Sequence, residues 1–313
     1  MINNIFVICN DRLGELLLTI PALRALRESF PQANITIAVD SDEADLAKTI
    51  EYVNDVLIWE NKKHPHKDLV RFSEQIKGKG FDLAVVFNPT AEAHWAIFWA
   101  KIPMRAGYNK HNGFLLTHKI KDLRYSGRMH GVEYNLELVG LIGAVTQDKT
   151  ISLKIEDFDL LGAIKGSSIV AIYPWANDPA NQWPLSSFKE LIKKLAGVNI
   201  LVVGDQEDLI KNRDFFAGLE DAIINFTGKT NLIQLAAILR KVNLLVTGDS
   251  GIMHMGAAVG TTVIALFGDI FEGTEVRHLG PWGEGHIVIE KANLSDISVD
   301  EVVEKVKEVY SRK

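Results

Sequence analysis

Apolar and polar positions along the chain alternate in two rhythms. Residues 4–10 form an apolar run of strand length. Residues 13–30 then repeat apolar side chains at helical spacing through Leu17, Ile20, Leu23 and Leu26, until Pro31 stops the helix. The same reading predicts strands at 35–39, 56–59 and 82–87, with helices at 44–50 and 69–77, the second closed by Gly78. Beyond Gly107 the pattern weakens into a basic, loop-rich stretch, followed by a helix around 133–142. The alternation restarts with a strand at 168–173, a helix at 185–195 and a strand at 199–203. It continues with helix 209–219, strand 222–225, helix 232–240, and strands 244–247 and 263–267. A final helix, 299–310, is amphipathic through Val302, Val303, Val306 and Val309. Short strands alternating with helices predict parallel sheets with crossover helices, here two successive doubly wound α/β units with a cleft between them.

A length of 313 residues suits that division, since domains usually run to about 100–200 residues. The expected units are 1–155 and 167–298, with the acidic stretch 151–166 (Glu156, Asp157, Asp159) as linker. The composition, 47% hydrophobic and 24% charged, is that of an ordinary soluble globular protein. No apolar run approaches the roughly 18 residues of a membrane span. Asp11, Arg12 and Glu15 interrupt what would be the apolar region of a signal peptide. The single Cys9 excludes an internal disulfide and metal sites built from several thiolates, and in the run from Ile5 it reads as a small buried hydrophobe. Together these features predict a cytoplasmic protein.

The net charge of −6 conceals a strongly basic segment. Within 101–130, Lys101, Arg105, Lys110, Lys119, Lys121, Arg124 and Arg128 face a single acid, Asp122, with His111, His118 and His130 besides. Part of this is a solvated face. On an acidic protein it also suggests a locus for phosphates or anionic lipid. Nucleic acid fits poorly, given the acidic balance and the lack of interleaved aromatics.

In doubly wound sheets ligands bind beyond the carboxyl ends of the strands. That directs attention to loops 10–15, 89–93, 174–183, 204–208 and 248–253. In the last of these, Asp249, Ser250 and Gly251 stand where a helix begins, and its unpaired N–H groups and dipole favour an anion such as a diphosphate. The bland alternative is that Asp249 or Ser250 caps the helix. Loop 10–15 holds one glycine rather than G-x-G-x-x-G, which disfavours a nicotinamide enzyme even though Asp40 ends the second strand. Glu15 either complements the dipole of its helix or serves as a general base. Asp40-Ser-Asp42 spells D-x-D, a metal-holding pattern that also arises by chance at strand ends. The histidines lack zinc spacing, and Ser250 lacks a nucleophile elbow. His64 and His66, among lysines, read as a surface loop. Trp183 reads as packing at a helix start, residues 176–182 supply amides including Asn177 and Asn181, and Glu207 follows a strand where ribose hydroxyls would lie.

These segments together resemble glycosyltransferase family 9, the ADP-heptose:lipopolysaccharide heptosyltransferases and their relatives. The resemblance rests on Leu13-Gly-Glu-Leu-Leu-Leu-Thr-Ile-Pro-Ala-Leu-Arg-Ala-Leu26, Phe81-Asp-Leu-Ala-Val-Val86, Arg105-Ala-Gly-Tyr108, Gln182-Trp-Pro-Leu-Ser-Ser-Phe188, Thr227-Gly-Lys-Thr-Asn-Leu232 and Asp249-Ser-Gly-Ile-Met-His254. It implies a glycosyltransferase-B fold of two Rossmann-like domains, with acceptor bound by the first and nucleotide sugar by the second. It also implies that the final helix, 299–313, packs back on the first. The implied reaction is an inverting displacement with no obligatory metal or cofactor, moving a heptose or related sugar from a nucleotide sugar such as ADP-heptose. The implied acceptor is a phosphorylated, lipid-linked core glycan at the inner face of the membrane, with peripheral attachment to its anionic surface.

Glu15 stands where the family usually has the catalytic Asp. Asn181 stands where it often has Lys or Arg. The implied donor set is Asn177, Asn181, Glu207, Lys229, Asp249, Ser250, Gly251 and His254. The acceptor side is assigned to Arg12, Lys101, Arg105, Lys110, Arg124 and Arg128. The two departures leave open a member that binds sugar nucleotide or glycan with weakened transfer, and the fold leaves open a sugar-nucleotide epimerase.

Overall fold

Ile5, Phe6, Val7 and Ile8 are all fully buried, so the first strand, β1 (Asn4–Ile8), is covered on both faces. That is the requirement of a central parallel strand. The computed structural model describes residues 2–60, 65–158, 162, 168–176, 181–268 and 276–311. Its contacts divide the chain into two units, Met1–Lys154 and Ile155–Lys313.

In the first unit β1 lies between β2 (Asn34–Val39) and β4 (Leu83–Val86), all parallel. β3 (Asp55–Ile58), β5 (Met104–Tyr108) and β6 (His118–Ile120) complete a six-stranded sheet in the order β3-β2-β1-β4-β5-β6. The crossovers are α1 (Leu13–Leu18), α2 (Ile20–Ser29), α3 (Ala44–Ala47), α4 (Pro65–Lys77) and α5 (Ala91–Trp99), followed by α6 (Gly131–Gly140). The helix expected over 13–30 is two helices meeting at Thr19. Pro21 has no N–H to donate, and the Thr19 hydroxyl turns back to the Leu16 carbonyl at 2.6 Å.

The second unit repeats the topology. β7 (Ile169–Tyr173), β8 (Asn199–Val202), β9 (Ile224–Asn225), β10 (Leu244–Gly248), β11 (Thr262–Gly268) and β12 (Ile287–Lys291) form a sheet in the order β12-β11-β10-β7-β8-β9. Its helices are α7 (Leu185–Lys194), α8 (Gln206–Lys211), α9 (Leu232–Lys241), α10 (Gly251–Ala258), α11 (Val276–Leu279) and α12 (Val299–Ser311). Read from opposite edges, both sheets have the Rossmann strand order, so each has one point where the winding reverses. These points lie between β1 and β4, and between β7 and β10.

Two boundary expectations change. The apolar face of α12, expected on the first unit, joins the second unit's core: Val302, Val303, Val306 and Val309 pack there with Leu191 and Ile192 of α7. Those valines face a sheet side that Trp183, Phe188 and Ile264 already make apolar, and that is where they remove most surface from water. The expected linker, 151–166, also proves partly structured. Lys154 donates to the Thr49 carbonyl at 3.1 Å in the first unit, whereas the Ile155 carbonyl accepts from Arg240 at 2.8 Å in the second. Among the described residues no helix is long and apolar enough to cross a membrane.

Candidate active site

Glu15 is the acid in the first turn of α1, half-buried, on the connection that leaves β1 at the first unit's reversal point. The other lip of that crevice is the end of β4. There the Phe87 carbonyl accepts from Arg124 Nη1 at 3.2 Å. Arg124 is buried and bidentate on Asp122, with Nε to Oδ1 and Nη2 to Oδ2 both at 3.0 Å. Its guanidinium carbon stands 4.3 Å from the centre of the Tyr108 ring. Burial works against both charges of this pair. The hydrogen bonds and mutual attraction win, holding the Arg124 group well above its ordinary range and the Asp122 carboxyl below its own. The charge of Glu15 acts on both Arg124 and Tyr108, which places all three in one electrostatic neighbourhood. Cys9, buried beneath it, is pushed far up by burial and then by Glu15, so it is an inert thiol.

Of the cations assigned to an acceptor, Arg12, Lys101 and Arg128 are exposed, and Lys110 is an exposed partner of Asp122 at 3.7 Å. Arg105 and Arg124 are instead engaged inside the unit. Arg105 donates to the carbonyls of Leu115 at 2.8 Å and Ile102 at 2.6 Å, tying β5 to the turn that precedes β6. Asp40 accepts from the Ser41 N–H at 2.7 Å, and so closes the turn after β2.

In the second unit the reversal point is built from the ends of β7 and β10. Ser250 caps α10: its Oγ accepts from the Met253 N–H at 3.1 Å and lies 3.1 Å from the Thr247 hydroxyl. The cap reading of Ser250 therefore holds. It consumes one N–H and leaves those of Gly251 and Ile252 at the helix start, where an anion is favoured. Gly256 lets this helix lie close to the sheet, since a Cβ there would stand 2.7 Å from Leu245 Cδ2. Asn181 reaches the same corner: a Cβ on Gly248 would stand 3.4 Å from the Asn181 carbonyl oxygen. His254 is buried one turn into α10, and Asp249 is half-buried before the cap.

Other donor candidates lie at neighbouring strand ends. Lys229 is exposed and closes its own loop on the Asn225 carbonyl at 2.7 Å. Glu207 is exposed and paired with Lys211 at 2.6 Å. Trp183 packs as expected, its Nε1 donating to the Ile297 carbonyl at 3.0 Å. Asn177 and His64 lie outside the described residues.

Two Rossmann-type units in one chain agree with comparisons to known proteins. The model of glycosyltransferase family 9 (heptosyltransferase) matches residues 69–305. The chain belongs to glycosyltransferase family 9. Lipopolysaccharide heptosyltransferase 2 of Salmonella typhimurium is 24% identical over 297 residues, covering 84% of this chain and 82% of that protein. The solved structure of Escherichia coli ADP-heptose lps heptosyltransferase II superposes with a TM-score of 0.84 at 21% identity, covering 99% of each chain. A family 9 glycosyl transferase from Veillonella parvula superposes with a TM-score of 0.87 at 20% identity, covering 99% of this chain and 98% of that one. The family 9 chain is thus a glycosyltransferase with the glycosyltransferase-B fold.

Two features of this family 9 chain escaped the sequence reading. The hydroxyls of Thr227 and Thr230, flanking Gly228 and Lys229, are buried with no hydrogen-bond partner among the described residues. Asp208 is the second. It forms a capping box with Asp205 that starts α8 earlier than the predicted 209, and burial first, then the charges of Asp205 and Glu207, push its carboxyl up to about 6. The D-x-x-D spacing from Asp205 was the available signal. A carboxyl raised in the folded state holds its proton where the unfolded one, near 3.8, has lost it, so the fold loses stability as pH rises from about 4 to about 6. Asp208→Asn keeps an acceptor but removes the titration. Across that window its stability should gain on the wild type by roughly 1–2 kcal/mol, after discounting for the solvent reaching this group. Urea unfolding at a series of pH values measures it, and a difference constant with pH would refute the assignment.

Proposed function

We propose that this protein transfers a heptose or related sugar, with inversion and without an obligatory metal, from a nucleotide sugar such as ADP-heptose to a lipopolysaccharide core or similar phosphorylated glycan. The observation that carries the reading is the corner at the end of β10, where α10 starts at the Ser250 cap and the main chain of Asn181 passes beside Gly248. A departing diphosphate gathers charge as the glycosidic bond breaks, and preorganised amides aimed at that charge stabilise the transition state. The names of the relatives, heptosyltransferases of lipopolysaccharide, support the sugar and the acceptor class.

In this reading Glu15 removes the proton of the acceptor hydroxyl as it attacks the anomeric carbon. The donor's pyrophosphate lies against Gly251 and the residues around it, with Asn177, Asp249, Ser250 and His254 in the same site, and Glu207 and Lys229 at its nucleoside end. Arg12, Lys101, Lys110 and Arg128 meet acceptor phosphates. Arg105 and Arg124 hold the fold beneath them. The substrate is its own nucleotide carrier, so no cofactor is needed, and the basic segment would keep the protein at an anionic inner-membrane surface.

The test is nucleoside diphosphate release from a panel of nucleotide sugars, with and without a lipopolysaccharide-core acceptor. Acceptor-dependent release, unchanged by EDTA, is expected. Donor binding with no release under any acceptor would overturn the proposal, and acceptor-free conversion of the sugar would point to an epimerase. Asn181 offers a sharper probe. An amide donates a hydrogen bond but cannot neutralise a diphosphate, so Asn181→Lys should tighten binding of the nucleoside diphosphate about three- to tenfold. Calorimetric titration reads this, and an unchanged affinity would show that the Asn181 side chain does not reach the phosphates.

A further inference from the structure

Apart from Glu92 in its first turn and the buried His94, α5 carries only apolar side chains, an arrangement normally reserved for helices enclosed by apolar surroundings. Ala93, His94, Ala96 and Ile97 are buried in the first unit. Phe98 and Trp99 are each 42% exposed, and Phe114, on the turn Gly113–Leu115, is 68% exposed. Trp95 joins them into one cluster. Its ring centre lies 5.8 Å from that of Phe98, 5.4 Å from that of Trp99 and 6.5 Å from that of Phe114.

This surface is held in place. The Arg105 guanidinium lies 5.6 Å from the Phe98 ring centre and donates to the Leu115 carbonyl at 2.8 Å, so one side chain touches both segments that carry the aromatics. Its charge surroundings are mainly basic, with Glu92 at the start of α5 and Asp122, paired with Lys110, as the flanking acids. Residues 93–121 contain Lys101, Arg105, Lys110, Lys119 and Lys121 and not one Asp or Glu. Lys101 is exposed just past Trp99, and Lys119 is exposed on the edge strand β6.

The geometry points to a membrane-docking surface: Trp95, Phe98, Trp99 and Phe114 enter the headgroup region of a bilayer while the surrounding lysines meet anionic lipid phosphates. Amphipathic aromatic rings concentrate at that depth, and basic residues near it are drawn by the negative surface potential. Charge complementarity selects a lipid surface over a second copy of this chain, because a two-fold dimer through the patch would bring the Lys101 and Arg105 rim against itself. The inference rests on the membrane attachment in the proposed function and assigns it a surface; it is tested without sugar nucleotide or glycan, so its failure is distinguishable from failure of the transfer reading.

The experiment is co-sedimentation of the full chain with vesicles of phosphatidylcholine alone and of phosphatidylcholine mixed with phosphatidylglycerol, at low and high salt. Binding to the mixed vesicles, weakened by salt and accompanied by a blue shift of tryptophan emission, is expected. Trp99→Ser with Phe114→Ser should lower partitioning roughly tenfold or more. Should the double variant unfold, the single Phe114→Ser, at the most exposed ring, still lowers partitioning with an unaltered melting curve. Partitioning that ignores these substitutions, or does not distinguish the two vesicle types, would overturn the proposal. So would a concentration-dependent dimer that the same substitutions abolish.

Discussion

Glu15→Gln is expected to lower acceptor-dependent sugar transfer by about 10²–10⁴-fold, the usual contribution of a positioned general base. The amide matches the carboxylate in size and keeps an acceptor oxygen, so it leaves the first turn of α1 in place while removing the charge and basicity. The proposed donor groups all belong to the second unit, hence donor affinity measured by calorimetry should stay within about twofold of the wild type. The loss should therefore appear in kcat. Two outcomes would sink the assignment: a rate within a few-fold of wild type, or a loss confined to donor affinity. The first would mean that Glu15 merely complements the helix dipole, the structural role its position in the first turn also allows.

The two-unit architecture was legible because central parallel strands are apolar on both faces. β1, β4, β7, β10 and β11 all stand out as short runs of Val, Ile, Leu and Ala. What was hidden has physical reasons too. α5 was not predicted, and its first residues fell in loop 89–93, because a helix apolar on nearly every side has no stripe for a periodicity argument to find. β5 interrupts its apolar residues with Arg105 and Gly107, and β6 is a three-residue edge, so the stretch after Gly107 looked irregular although it completes the sheet. β12 is likewise an edge strand, half-exposed and mixed in character.

For the candidate site, the sequence indicated which strand ends to examine more than what each side chain does there. Strand ends named the loops, and the reversal points of the two sheets are where Glu15 and the Gly248–Ser250 corner stand. Charge counting was a poorer guide. It grouped Arg105 and Arg124 with Lys101 and Arg128 because all fall in one basic segment, but sequence spacing does not say which cations meet carbonyls and carboxylates first. Aspartate two residues before Arg124 was the only hint of its partner, and the aromatic platform of Tyr108 comes from a different strand.

That difference has a measurable consequence, and Arg124→Ala should be among the most destabilising substitutions in the first unit. Removing the guanidinium strands Asp122, whose side chain is only 8% exposed, with Lys110 at 3.7 Å as its remaining cation in that cluster. It also opens the face of Tyr108 and leaves the Phe87 carbonyl without this donor. Breaking a buried ion pair from one side typically costs about 3–5 kcal/mol. For a protein of this size that lowers Tm by roughly 10 °C. Most of the cost is an unpaired buried charge, so adding Asp122→Asn to the Arg124→Ala background should recover a substantial part of it, a non-additivity that denaturant unfolding of the four proteins in the cycle would measure. An Arg124 that mainly bound acceptor phosphates predicts the opposite split: near-normal stability for Arg124→Ala, a raised acceptor KM, and no rescue by Asp122→Asn.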